Sequence, residues 1–109
     1  MELKRVVVTG MGAITPIGND VETAWENAKK GVSGAGPITH FDASKFKTQF
    51  ACEVKNFDGN ALFDRKKVRQ LDLYAQYALA AARQAVEDSK IEEDPNVNRD
   101  RIGVIVAAG

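Results

Sequence analysis

The stretch Arg5-Val6-Val7-Val8-Thr9-Gly10-Met11-Gly12-Ala13-Ile14-Thr15-Pro16-Ile17-Gly18-Asn19-Asp20 is an apolar run that breaks into a glycine-bearing loop and then opens a helix. Val6, Val7 and Val8 are β-branched and uninterrupted by polar residues, the pattern of a strand covered on both faces, as in a parallel sheet wrapped by helices. Everything downstream is then expected to pack around that strand. Gly10, Gly12 and Gly18 read as structural turn residues that let the backbone pass tightly beneath neighbouring elements. Gly10-Met11-Gly12 also begins a G-x-G pattern, but Thr15 stands where a dinucleotide-binding loop needs its third glycine. The helix opens only near Asn19, too late to receive a pyrophosphate, so nucleotide binding is set aside.

Outward from this stretch, Asn19 reads as an N-cap with Glu22 at the third helical position. Val21, Ala24, Trp25 and Ala28 form one apolar stripe, Lys29 and Lys30 suit the C-terminal dipole, and Gly31 supplies the stop. Residues 31 to 47 carry Gly31, Gly34, Gly36 and Pro37 and read as a long irregular loop. Gln49 to Val54 alternates, with Phe50, Cys52 and Val54 on one side, as a strand with one packed face. The chain turns through Asp58-Gly59-Asn60. From Leu71 to Val86 the apolar positions cover nearly the whole circumference of a second helix, which belongs in the interior of something larger. After a polar connection from Asp88 to Arg101, Ile102 to Gly109 reads as another strand buried on both faces. A domain with such a helix, ending on such a strand, reads as truncated.

The chain has 109 residues, enough for one domain, and an apolar content of 44%, ordinary for a globular protein. Fifteen basic residues balance fifteen acidic ones, so bulk charge points to neither nucleic acid nor an anionic membrane. The N-terminus shows no signal-peptide core and no membrane-spanning run, which makes a cytoplasmic location the expectation. Cys52 is the single cysteine and excludes an intrachain disulfide. Its alternation with Phe50 and Val54 reads as a small core hydrophobe rather than a nucleophile. His40, the single histidine, lies in a glycine-rich loop without a second ligand cluster, so loop packing is favoured over a metal site.

One local cluster stands out. Arg65, Lys66, Lys67 and Arg69 place four cations in five residues, which repel one another unless an anion or an acidic neighbour relieves them. The two readings are a solvated helix face compensated by Asp64 and Asp72, or a docking surface for an acidic partner.

As a set, these motifs resemble the β-ketoacyl-acyl-carrier-protein synthases. The resemblance rests on Arg5 to Gly12, Thr15-Pro16-Ile17-Gly18-Asn19, Trp25, Gly31-Val32-Ser33-Gly34, Ile38-Thr39-His40-Phe41-Asp42, Phe50-Ala51-Cys52-Glu53-Val54, Asp64-Arg65-Lys66 and Ile102-Gly103-Val104, in the family's order and spacing. His40-Phe41-Asp42 and Val54-Lys55-Asn56-Phe57 are closer to the synthase II branch than to synthase I. The resemblance implies an α/β, thiolase-like fold in αβαβα layers, of which residues 1–109 would be the N-terminal part of the first half, acting as a homodimer in type II fatty acid biosynthesis.

The implied reaction is acyl-chain elongation. A cysteine accepts the acyl group from acyl carrier protein, malonyl-carrier-protein decarboxylates and attacks the thioester, two histidines assist, and backbone amides form an oxyanion hole. No metal or organic cofactor is implied. Cys52 does not match the family's nucleophile motif and His40 matches neither catalytic histidine, so no catalytic residue is expected in this chain. Cations at positions matching Lys66 and Arg69 dock the acidic helix of acyl carrier protein in the family. A third, often basic position is Gln70 here, and Lys67 is expected to supply the charge. The other readings are a stand-alone non-catalytic relative that binds carrier protein or another subunit, and a segment of a polyketide ketosynthase.

Overall fold

The computed structural model describes residues 1–108. In chain order its elements are helix α1 (Val21–Lys29), strands β1 (Ala35–Pro37) and β2 (Phe50–Cys52), the single-turn helix α2 (Gly59–Leu62), helix α3 (Arg65–Gln70), the long helix α4 (Leu73–Ser89) and a 3-10 turn (Arg99–Arg101). The sheet is a two-stranded antiparallel ribbon in which Ala35 pairs with Cys52, Gly36 with Ala51 and Pro37 with Phe50. β1 therefore lies inside the stretch that the glycines and Pro37 mark as irregular loop. Three residues of small or imino side chain give no alternation for a sequence pattern to detect.

Helices α1, α2 and α3 start at side-chain caps, whereas Asp72 before α4 makes no capping bond. Asp20, not Asn19, caps α1, its carboxylate accepting from the Thr23 amide at 2.7 Å and the Thr23 hydroxyl at 2.9 Å. The Thr23 amide, followed by its hydroxyl, holds the Asp20 carboxyl below the ordinary 3.8. Asn19 donates instead to the Lys55 carbonyl at 2.8 Å. Asp58 caps α2 and Asp64 caps α3. Leu71 has extended backbone geometry, and α4 begins at Leu73 rather than at Leu71. Lys90 closes α4 in the left-handed region, with φ of 55°.

The radius of gyration is 17.5 Å, against about 13 Å for a compact domain of about 100 residues. Among the described residues the only buried apolar side chains are Ala43 and Ala80. Val6 to Val8 and Ile102 to Val106, expected as buried strands, are exposed and outside regular structure, Ile105 at 97%. A strand buried on both faces needs paired neighbours and covering helices, and the described residues supply neither. Gly109, the last residue of the expected terminal strand, lies outside the described residues.

Trp25 and Ala28 on the α1 stripe are likewise exposed. In β2 the expected packing is reversed, with Phe50 and Cys52 exposed and Ala51 half-buried. Cys52 is thus not a core residue here, because nothing covers that face of the ribbon. On α4, Gln76 and Ala80 are buried while Tyr74, Leu79 and Val86 are exposed. The covered side of α4 meets the loop after Thr9, Gly59 and the end of α3.

Candidate functional site

Two features place the residues singled out by the sequence. The first is a close backbone crossing. A Cβ at Gly10 would fall inside the Ala85 carbonyl and the Ser89 backbone, and one at Gly12 inside the Ala81 carbonyl, so the loop after Thr9 can lie on α4 only with glycine at both positions. Side chains from the helix then hold it. Asp88 accepts from the Met11 amide and Gln84 from the Ala13 amide, each at 3.0 Å, while the Gln84 amide donates to the Asn19 carbonyl at 2.7 Å. Beyond the crossing, Thr15 and Gly18 exchange backbone bonds of 2.8 and 3.2 Å, and Gly18 packs against the α1 backbone at Ala24.

A cleft of about 420 Å³ opens beside this turn, with Lys55 and Asn27 in its wall. Its cation is already engaged. The Lys55 ammonium donates to the carbonyls of Pro16 at 3.2 Å, Gly34 at 2.8 Å and Glu53 at 3.1 Å, using its three protons on three segments. The Asp20 carboxylate occupies the N-terminus of α1, so an anion there would meet a negative charge. Both observations argue against a phosphate in this cleft.

His40 sits beside Glu53, Nε2 to Oε1 at 3.8 Å. Glu53 also accepts from the Thr39 hydroxyl at 2.7 Å, the Thr39 amide at 3.0 Å and the His40 amide at 3.3 Å. These bonds, the Thr39 hydroxyl foremost, keep the Glu53 carboxyl below its ordinary 4.5. The result is a loop clasp. Among the described residues no three His, Cys, Asp or Glu side chains converge as a metal site would require.

The second feature is the basic helix. In α3 the Asp64 carboxylate accepts from the Lys67 amide at 2.8 Å, which orients the first turn. Lys66 and Arg69, three apart, share one face, as do Arg65 and Arg69, four apart. All four cations are exposed. Among the described residues the ion pairs are Glu26 with Lys29, His40 with Glu53 and Arg83 with Glu87, so none of the four has an acidic partner within reach. Asp64 serves as a cap rather than as a counter-ion. Lys67 Nζ lies 5.9 Å from the centre of the Phe63 ring, a cation–π contact that leaves its charge at the surface.

The C-terminal end of α3 is held by a residue that sequence reasoning missed. Gln76, buried on α4, donates from Nε2 to the carbonyls of Leu71 at 3.0 Å and Val68 at 3.3 Å. The signal was available: a glutamine in the midst of an apolar helix needs partners for its amide.

Residues 3–109 match the family described as "Beta-ketoacyl synthase, N-terminal domain". The chain belongs to the β-ketoacyl synthase family. It is 49% identical over 106 residues to 3-oxoacyl-[acyl-carrier-protein] synthase 2 of Staphylococcus aureus (strain COL), covering 97% of this chain and 25% of that protein. To the enzyme of the same name from Coxiella burnetii it is 46% identical over 109 residues, covering all of this chain and 26% of the relative. The chain thus spans about a quarter of the length of the curated relatives it matches.

Among solved structures, "The ishigamide ketosynthase/chain length factor" superposes with a TM-score of 0.71 at 37% identity, covering 89% of this chain and 23% of that one. The fold class is therefore α/β and thiolase-like, as the ketosynthase motifs imply. The described residues contribute helices and the β1–β2 ribbon to that architecture.

Proposed function

We propose that residues 1–109 form the N-terminal part of a β-ketoacyl synthase N-terminal domain in a 3-oxoacyl-[acyl-carrier-protein] synthase of type 2, and that α3 is its docking surface for acyl carrier protein. The whole protein would be an acyltransferase of type II fatty acid biosynthesis. The identities of 46% and 49% to synthase 2 relatives exceed the 37% to the ishigamide ketosynthase, which favours this branch.

The single observation that carries the docking assignment is the unpaired state of Lys66, Lys67 and Arg69. Four cations held on one short capped helix, all exposed and without an acidic partner among the described residues, form a local positive patch on a chain of zero net charge. Such a patch steers an acidic partner and fixes its register. Gln70 keeps the helix polar without adding charge.

The proposed reaction has two stages. An acyl group passes from the carrier-protein thioester to a cysteine thiolate of the synthase, releasing the carrier thiol. Malonyl-carrier-protein then loses carbon dioxide, and the resulting enolate attacks the acyl-enzyme carbonyl, forming a carbon–carbon bond and releasing the cysteine. Two histidines and backbone amides would stabilise the developing charge. No residue of this chain is assigned to that chemistry, and it calls for neither metal nor organic cofactor. The role proposed for residues 1–109 is to present the loaded carrier protein, and the 109-residue chain alone is expected to be inactive. We place the enzyme in the cytoplasm as a homodimer, and no helix of the described residues is long and apolar enough to cross a membrane.

The test is a condensation assay on the full-length protein with acyl- and malonyl-carrier-protein. Carbon dioxide release and a 3-oxoacyl product are expected. In the Lys66→Glu/Arg69→Glu variant kcat/KM for carrier protein should fall about ten-fold at low salt and become nearly independent of ionic strength. An unchanged salt profile would sink the docking assignment.

A further inference from the structure

We propose that Gln76 is the positioning residue of the docking helix, setting the direction of Lys66, Lys67 and Arg69 from a buried site on the neighbouring helix; the inference rests on the docking reading above. α3 is six residues long, far shorter than a helix that persists on its own, and its four cations repel one another. Its N-terminal end is tied by Asp64. At the other end Leu71 is extended, and the carbonyls of the last turn have no partner from a continuing helix.

Gln76 supplies that partner. Its Nε2 bridges the carbonyls of Val68 at 3.3 Å and Leu71 at 3.0 Å, one inside α3 and one at its C-cap. Only a donor suits two carbonyls, which fixes the amide orientation and excludes an acid or an apolar residue in the same role. Gln76 is 6% exposed, so its amide has little water to exchange these bonds with. Gly59, buried at the start of α2, completes the seat: a Cβ there would lie inside Oε1 of Gln76. Below the seat, Tyr77 packs edge-on to Phe57 with ring centres 4.8 Å apart, which fixes the same turn of α4. A direct tie thus runs from a packed turn of α4 into the backbone that carries the cations.

Gln76→Met keeps the volume and removes both donors. In the full-length enzyme, it should raise KM for acyl carrier protein about five- to ten-fold. kcat, and turnover of an acyl-pantetheine that lacks the protein part, should stay as in the parent. Amide hydrogen exchange across residues 65–71 should quicken. Gly59→Ala, which displaces the amide without deleting it, should move the same quantities in the same direction and serves as the readout if Gln76→Met does not fold.

Equal losses on carrier protein and acyl-pantetheine would make Gln76 a general structural residue and overturn the inference. An unchanged KM in the Gln76 variant, with a raised KM in Lys66→Glu/Arg69→Glu, would overturn it while leaving the docking reading intact. If neither variant shifts KM, the docking reading itself fails.

Discussion

Lys55 and Lys66 carry the same charge eleven residues apart in the chain, and the structure treats them oppositely. The Lys55 ammonium reaches three carbonyls, on Pro16, Gly34 and Glu53, and so ties three loops together. Lys66, with Arg65, Lys67 and Arg69 around it, has no acidic partner among the described residues, although the backbone beneath is fixed at both ends. A cation whose donors are consumed internally serves the fold. One held in place with its charge free is available to a second molecule.

The largest expected effect strikes the first region alone. Gly12→Ala puts a methyl group inside the Ala81 carbonyl, and backbone on both sides leaves no flexible side chain to yield. In the full-length protein the loop must lift from α4, breaking the Met11 and Ala13 bonds to Asp88 and Gln84. A destabilisation of about 2–3 kcal/mol is expected, read as a lowered denaturant midpoint. A midpoint within error of the parent would show that the crossing is not tight.

Lys66→Glu/Arg69→Glu strikes the second region alone. It should leave the denaturant midpoint nearly unchanged, because exposed charges without partners contribute little to stability. The carrier-protein association rate should fall about ten-fold at low salt and lose its slope against ionic strength. A lowered midpoint with an unchanged rate would reverse the roles assigned to the two regions.

Lys55→Met sharpens the contrast from the other side. Three carbonyls lose a charged donor, but Lys55 is exposed, so water replaces much of what is lost. A cost of about 1 kcal/mol is expected, with carrier-protein association untouched. Slower association would mean that the cleft beside Thr15 also faces the partner.

The sequence made the two regions legible to different degrees. The four cations are visible in any reading of residues 65–69, and the glycines at 10, 12 and 18 announce a close backbone approach. Which backbone they approach was not legible, since Ala81 and Ala85 lie some seventy positions further on. The cap of α1 falls at Asp20, one residue beyond the expected Asn19, whose side chain is engaged instead by the Lys55 carbonyl. β1 escaped notice because Ala35, Gly36 and Pro37 carry no alternating pattern. Val6 to Val8 and Ile102 to Val106 have strand composition, yet a ladder is a property of two segments and composition describes one. Gln76 escaped because attention to apolar periodicity passes over the polar residue that interrupts it.

The smallest expected effect concerns the clasp that joins β2 to the loop beyond β1. The Thr39 hydroxyl and amide, with the His40 amide, bind the ionised Glu53 and hold its carboxyl below 4.5. Because the folded value is depressed, the bonds are fully present above pH 4.5 and are lost as the pH falls through the folded value. The Thr39 amide resonance in the full-length protein should therefore shift in acid with a midpoint below 4.5. Glu53→Gln should abolish that titration and leave carrier-protein association as in the parent. A midpoint at or above 4.5 would mean that the Thr39 bonds do not favour the ionised form, and the clasp would then contribute nothing that pH can remove.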